Sequence, residues 1–266
     1  MPINPANNSP QTIFITGASS GIGEALALFY AAPGVTLYLT GRNAERLRAV
    51  TDLCGQQGAR AESFLIDVTD RAGMERLLLR LDAAMPIDLV IANAGISGGT
   101  GAIGGESADQ VREIFATNVD GVFNTVLPLM PVMTTRGCGQ IAVMSSLAAF
   151  TGWPGAPAYS ASKAAVRIFG EALRGSLRQS GVKVSVVCPG FIESRMTAAN
   201  EFRMPLFMPA NRAAAIIARG LANDRGRIAF PWPTYLMSGL IGMMPLALSS
   251  KILTKLPQKA AIVQDK

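Results

Sequence analysis

The sequence contains no histidine, and that absence removes several mechanistic classes at once. Ser-His-Asp and Cys-His nucleophile systems cannot be assembled. A catalytic zinc would need carboxylate and cysteine ligands alone, and no such cluster exists, so no metal is expected. Proton transfer must fall to Tyr, Lys, Asp, Glu, Cys or water. Cysteine is scarce too: Cys54, Cys138 and Cys188 are an odd, scattered set without redox or zinc spacing, and they read as core or loop residues. Charged residues make up only 16% of the chain against 49% hydrophobic, the balance of a compact globular protein. A length of 266 residues suits one domain, 1–266. The opening MPINPANNSPQ has neither a cationic leader nor an apolar core, so a cytoplasmic location is expected.

Acidic residues are scarcest at the end. Residues 1–194 carry 14 Lys+Arg against 15 Asp+Glu, whereas residues 195–266 carry 10 against 3. No nucleic-acid motif accompanies this basic end, so nucleic acid is not an expected partner. Its neighbour is a stretch from Ile228 to Ser250 without any charge.

Short apolar runs alternate with longer helical patterns. Thr12–Thr16, Val35–Thr40, Ala61–Ile66, Asp88–Ala92, Gln140–Met144 and Lys183–Cys188 are predicted strands. Ile22–Ala31, Ala44–Cys54, Arg71–Met85, Ala108–Met130 and Tyr159–Gln179 are predicted helices. Such alternation gives a doubly wound α/β fold with a parallel sheet, because parallel neighbours need a crossover. After Pro189 the pattern weakens: Phe191–Ala210 is irregular, Arg212–Ala222 reads as a helix and Arg227–Phe230 as a last strand. The reading divides the chain into a nucleotide-binding region, 11–230, and an apolar, basic extension, 231–266.

The first strand runs into Thr16-Gly17-Ala18-Ser19-Ser20-Gly21-Ile22-Gly23, followed at once by a helical pattern. A strand, glycine turn and helix let the backbone approach a pyrophosphate and aim helix N-terminal amides at it. A phosphate loop for ATP would need Lys-Ser/Thr where Ile22-Gly23 stands. The Gly-x-x-x-Gly-x-Gly spacing resembles that of the short-chain dehydrogenase/reductase family, and further motifs recur in order: Asp67-Val68 after the third strand, Asn93-Ala94-Gly95 after the fourth, Pro189-Gly190 after the sixth. The resemblance covers roughly 12–230 and implies a Rossmann-type domain. It places Gly17, Ser19, Ser20, Gly21, Ile22, Gly23, Asp67, Val68, Asn93, Ala94, Gly95, Pro189 and Gly190 around a dinucleotide. After them Ile192 is expected to meet the carboxamide through its backbone, beside Ser194, where the family often has Thr. At the end of the second strand stand Gly41 and Arg42 rather than a carboxylate; Arg42 suits a 2′-phosphate, so NADP(H) is the expected cofactor. The alternative is that Arg42 lies on the surface beside Glu45.

Tyr159 and Lys163 stand four apart at a helix start after Pro157, so phenol and ammonium share a face. A nearby cation stabilises a phenolate. The family's spacing selects Ser146 as the hydroxyl that binds the substrate oxygen, with Ser145 as the alternative, and its Asn of the proton relay falls on Asn118. The resemblance therefore implies hydride transfer between NADP(H) and a carbonyl or alcohol substrate, with Asn118, Ser146, Tyr159 and Lys163 as the catalytic set. The other reading of the fold is a nucleotide-binding sensor without turnover; the intact Ser146-Tyr159-Lys163 set argues against it.

Met196, Phe202, Met204, Leu206, Phe207 and Met208 read as an apolar lid over a hydrophobic substrate, or as core or oligomer contact. Glu193 and Arg195 read as lid salt-bridge residues rather than ligands. The helices around Asn118 and Tyr159 resemble the family's dimer faces, so a homo-oligomer is expected. Pro231, Pro233 and Pro245 interrupt the apolar tail and leave it short of a bilayer span. With Lys251, Lys255 and Lys259 following at helical spacing, the tail is expected either to lie on the inner membrane surface or to pack on the substrate pocket or a partner subunit.

Overall fold

The computed structural model describes residues 10–101, 105–198, 200, 202, 204–255 and 259. Seven parallel strands form one sheet in the order β3-β2-β1-β4-β5-β6-β7. They are β1 (Thr12–Ile15), β2 (Thr36–Gly41), β3 (Arg60–Leu65), β4 (Leu89–Ala92), β5 (Gly139–Met144), β6 (Val182–Pro189) and β7 (Arg227–Phe230). Between them run α1 (Gly21–Tyr30), α2 (Ala44–Gln56), α3 (Arg71–Ala84), α4 (Ala108–Phe115), α5 (Gly121–Val126), α6 (Leu129–Arg136), α7 (Pro157–Ser176), α8 (Arg195–Ala198) and α9 (Ala210–Ala222). The expected doubly wound α/β fold is the fold observed.

The apolar runs become strands because the sheet is covered on both sides. Ile13, Phe14 and Ile15 of β1 are completely buried, at about 1.5–3 kcal/mol for each large apolar side chain withdrawn from water. Alternate residues serve opposite layers: Ile13 and Ile15 pack with α1, α2 and α9, and Phe14 packs with the layer of α3, α5 and α7. Polar caps punctuate the helices. Asn43, Asp70 and Ser107 accept N–H bonds from Arg46, Gly73 and Gln110, each cap contributing about 1 kcal/mol.

One expectation is corrected here. The single helix at Ala108–Met130 is in fact α4, a π-helical turn at Ala116–Asp120 and α5, with α6 beginning after Pro128. Proline fixes its own φ and has no N–H to donate, which separates α6 from what precedes it. The tail after β7 folds as α10 (Trp232–Met243) and α11 (Leu246–Leu253), and among the described residues no helix is long and apolar enough to cross a membrane. Its inner side packs on the domain: the Tyr235 ring meets the Phe150 ring edge-on at 5.3 Å, and Arg227 donates to Tyr235 Oη at 3.0 Å. Its outer side leaves Trp232, Leu236, Leu240, Met243 and Leu246 exposed, Trp232 at 72%.

Candidate active site

At the carboxyl ends of the strands lies a cavity of about 1670 Å³. Sites for drug-sized ligands occupy roughly 300–1,000 Å³, so this one has room for a dinucleotide and a second molecule. One half is built by the β1–α1 turn. Gly17 and Gly21 have φ of +65° and +61°, values that side chains rarely tolerate. A Cβ on Gly23 would overlap the Gly17 carbonyl oxygen and stand 2.6 Å from Asn93 Nδ2, so only glycine lets α1 approach the turn. Ser20 stands at the N-cap of α1, but its side chain caps nothing. The first-turn amides of α1 therefore remain available where Ser20, Gly21 and Ile22 line the cavity.

Asn93 braces this turn from β4. Its Nδ2 donates to the carbonyls of Thr16 at 2.9 Å and Gly17 at 3.2 Å, while Thr16 Oγ1 accepts the N–H groups of Asn93 and Ala94, both at 3.0 Å. Asp67 Oδ1 accepts both the N–H and the hydroxyl of Thr69 at 2.9 Å, and the Val68 carbonyl accepts Asn124 Nδ2. Arg42 extends from the end of β2 to 3.6 Å from Asp67; its ion-pair partner is Asp67 and not Glu45. Arg46, one turn into α2, also lines the cavity, and its buried Nε has no hydrogen-bond partner among the described residues. A cradle that only glycine fits, open helix amides and a guanidinium nitrogen without a partner among the described residues together fit a dinucleotide.

The other half is built by β5 and α7. Pro157 begins α7 with a preset φ, and Glu106 Oε2 accepts the Ala158 N–H at 2.8 Å, putting negative charge at the helix start. Tyr159, half-buried, and Lys163, buried, then face the cavity together. Burial raises the Tyr159 phenol, while the Ser146 hydroxyl hydrogen-bonded to it pulls the other way. Lys163 donates to the Met144 carbonyl at 2.9 Å, its ammonium 5.9 Å from the Tyr159 ring centroid, and burial pushes its pKa down to about 8. The two serines divide their work. Ser145 Oγ donates to the Lys163 carbonyl at 2.8 Å and is occupied inside the core. Ser146 faces Tyr159.

Asn118 sits fully buried in the π-helical turn. Its Oδ1 accepts the Ile96 N–H at 2.8 Å, and its Nδ2 donates to the Ile96 carbonyl and to Ser162 Oγ. A Cβ on Gly95 would stand 3.0 Å from Asn118 Oδ1 and 3.2 Å from Lys163 Nζ, so this glycine keeps a gap between them.

After β6, the Gly190 N–H bonds the Phe230 carbonyl and Ile192 bridges to Met208. Thr197, which the sequence reading passed over, organises this segment: its hydroxyl donates to the Ile192 carbonyl at 2.7 Å and accepts the Ser194 N–H at 3.0 Å. Ser194 in turn stands against Gly21, where a Cβ would approach its own to 2.9 Å. Glu193 and Arg195 are both exposed and form no ion pair among the described residues. The lysines of the tail separate. Lys251 and Lys255 are exposed, but Lys259 is buried in the cavity wall and donates to Ser97 Oγ at 2.7 Å. The expectation that all three face head groups is therefore wrong for Lys259. Arg46, Glu106, Thr16 and Lys259 were likewise missed as site residues; only the Asn43-x-x-Arg46 cap pattern carried a signal.

A family model for short chain dehydrogenases matches residues 11–203. An uncharacterized oxidoreductase of Myxococcus xanthus is 38% identical over 241 residues, covering 90% of this chain and 95% of that one. Among solved structures, a short-chain dehydrogenase from Sphingobium yanoikuyae in complex with NADPH superposes with a TM-score of 0.77 at 25% identity, covering 94% of this chain and 98% of that one. A short chain dehydrogenase from Mycobacterium paratuberculosis bound to NAD gives 0.74 at 22% identity, with coverage of 85% and 98%. The fold is thus shared by chains holding either dinucleotide.

Proposed function

Since the chain belongs to the short-chain dehydrogenase family and is an oxidoreductase, we propose that it interconverts a carbonyl and an alcohol with NADP(H), with reduction as its working direction. The observation that carries this reading is the Tyr159 phenol set between the Ser146 hydroxyl and the buried Lys163 ammonium, on the same cavity as the glycine turn. Bound there, the dinucleotide would supply or accept the hydride.

The chain's own residues do the rest. Tyr159 gives its proton to the substrate oxygen in reduction and takes it back in oxidation. Ser146 hydrogen-bonds that oxygen and stabilises the charge developing on it. The Lys163 charge opposes the burial that would otherwise keep the phenol from ionising, and the same ammonium is within the nucleotide side of the cavity to hold a ribose hydroxyl. Asn118 fixes Ile96 and, with Gly95, preserves the gap beside Lys163 through which a water relays protons. Pro189, Gly190, Ile192 and Ser194 close over the carboxamide end.

NADP(H) over NAD(H) is supported by Gly41 in place of a carboxylate, by Arg42 just after β2 and by Arg46 in the first turn of α2. A hydrophobic substrate is supported by Trp153, Phe191, Phe202, Met204 and Met237 on the cavity wall. Self-association through α4, α5 and α7 is supported by exposed Phe115, Leu127 and Ile168, and contact with a membrane surface by the outer side of α10 and α11 beside Lys251 and Lys255.

The test is NADPH oxidation with a panel of ketones by the wild type and by Tyr159→Phe. Turnover falling by about 10²–10⁴-fold with NADPH affinity retained is the expected result. A sensor would bind NADPH and oxidise none, and near-wild-type turnover in the variant would remove Tyr159 from the chemistry.

A further inference from the structure

Lys259 reaches the cavity from the far end of the chain, independently of both the glycine turn and α7. Its side chain is 7% exposed, its Nζ donates to Ser97 Oγ at 2.7 Å, and the ammonium stands 5.5 Å from the Tyr159 ring centroid. The backbone is docked as well: the Gly101 N–H donates to the Lys259 carbonyl at 3.0 Å, and any Cβ on Gly99 would collide with that same carbonyl and with Gly155. A residue held by its main chain and admitted by a glycine is a built part of the wall.

Among the described residues this ammonium has no counter-charge. No carboxylate pairs with it among the described residues. An ammonium has three donors, and Ser97 takes one. Withdrawing a cation from water without an anionic partner is costly, and the cost shows in its pKa, pushed down to about 8 by burial. The other cations on the cavity are differently placed: Lys163 is bound to the Met144 carbonyl, Arg195 is exposed to solvent, and Arg42 and Arg46 stand beyond the end of β2, where Arg42 meets Asp67. A carboxylate meeting Lys259 would make short charge-assisted bonds beside a buried ammonium, while Trp153, Phe202, Met204 and Met237 elsewhere on the same cavity wall take an apolar body.

We propose that Lys259 holds a carboxylate of the substrate beside the reacting carbonyl, so that the preferred substrates are oxo acids with an apolar body. This rests on the reading of Tyr159 as the proton donor of the same cavity.

The test uses the full chain with NADPH and matched pairs, phenylpyruvate and 4-oxo-4-phenylbutanoate against their methyl esters. The wild type is expected to prefer each acid in kcat/KM. In Lys259→Met the acid-to-ester ratio should fall tenfold or more, and Lys259→Arg should restore most of it. Acid and ester losing in equal proportion, or an unchanged ratio, would overturn the proposal. Acid binding to NADP-loaded Tyr159→Phe protein, with and without Lys259→Met, gives the readout without turnover. If that binding depends on Lys259 while the wild type turns over neither pair, the reductase reading falls and the carboxylate site stands. If both pairs are turned over while the ratio ignores Lys259, the carboxylate site falls alone. NADPH affinity and thermal unfolding of each variant identify any that fail to fold, in which case Lys259→Gln replaces Lys259→Met.

Discussion

Arg42→Ala separates NADPH from NADH recognition quantitatively. A charge-assisted hydrogen bond is worth about 1.5–3 kcal/mol. The Arg42 side chain is 58% exposed, so solvent screening puts its bond to a 2′-phosphate near the bottom of that range, about 1.5 kcal/mol. The substitution also leaves Asp67, now 3.6 Å from the guanidinium, as an unpaired anion beside the phosphate. Release of an exposed pair is worth no more than about 1 kcal/mol and acts in the same direction. At 1.4 kcal/mol per tenfold, Kd for NADPH should rise about 10- to 50-fold while NADH changes by less than about twofold. Arg46→Ala should add a loss of its own, since its buried Nε has no partner among the described residues to keep. Fluorescence titration of both cofactors measures this, and the difference between them should shrink with added salt. Equal weakening of NADPH and NADH would refute the assignment, because only one carries the phosphate.

Burial holds the Lys163 and Lys259 ammonium groups at about 8, below the unfolded value of about 10.4. The unfolded chain therefore binds more protons above pH 8, so the burial cost is present in full below pH 8 and is relieved as pH rises through it. The thermal-midpoint difference between Lys163→Met and wild type should favour the variant most at pH 7 and narrow by pH 9; a difference independent of pH would contradict it. Cys54 and Cys188, pushed up to about 11 and about 12 by burial, act oppositely above pH ~8.5, which is why the comparison is made against a variant sharing them. Flotation with anionic liposomes at low salt should carry the wild type, and Trp232→Ser with Leu246→Ser should reduce it; a wild type that stays at the bottom of the gradient excludes the membrane surface. Ile168→Glu should lower the light-scattering mass towards that of one chain, and a wild type already of that mass excludes self-association.

Much of the backbone shape of the candidate nucleotide site was legible in the sequence because glycine spacing encodes it. Gly17, Gly21 and Gly23 each meet a local requirement, a positive φ or an approach that a Cβ would block, and such requirements are written at fixed offsets. Tyr159 and Lys163 were legible for the same reason, since i and i+4 on a helix share a face whatever the rest of the chain does. Ser145 and Ser146 were separable only once the strand's end fixed which hydroxyl meets the Lys163 carbonyl. The π-helical turn around Asn118 escaped because its apolar pattern continues through α4 and α5; one extra residue per turn changes hydrogen bonding without changing composition. Lys259 escaped for the opposite reason. Its spacing from Lys251 and Lys255 is helical, yet α11 ends at Leu253, and the partner that fixes it, Ser97, lies 162 residues away.

The docking of Lys259 against Gly99 and Gly101 also orders events during synthesis. The glycine turn, β5 and α7 all precede residue 259, so a chain folded only as far as β7 has the candidate nucleotide cradle and Tyr159 in place but faces an unfinished wall. Dinucleotide binding at that stage would stabilise the half-completed cavity by mass action, holding the Ser97–Gly101 loop opposite α7 until the lysine arrives.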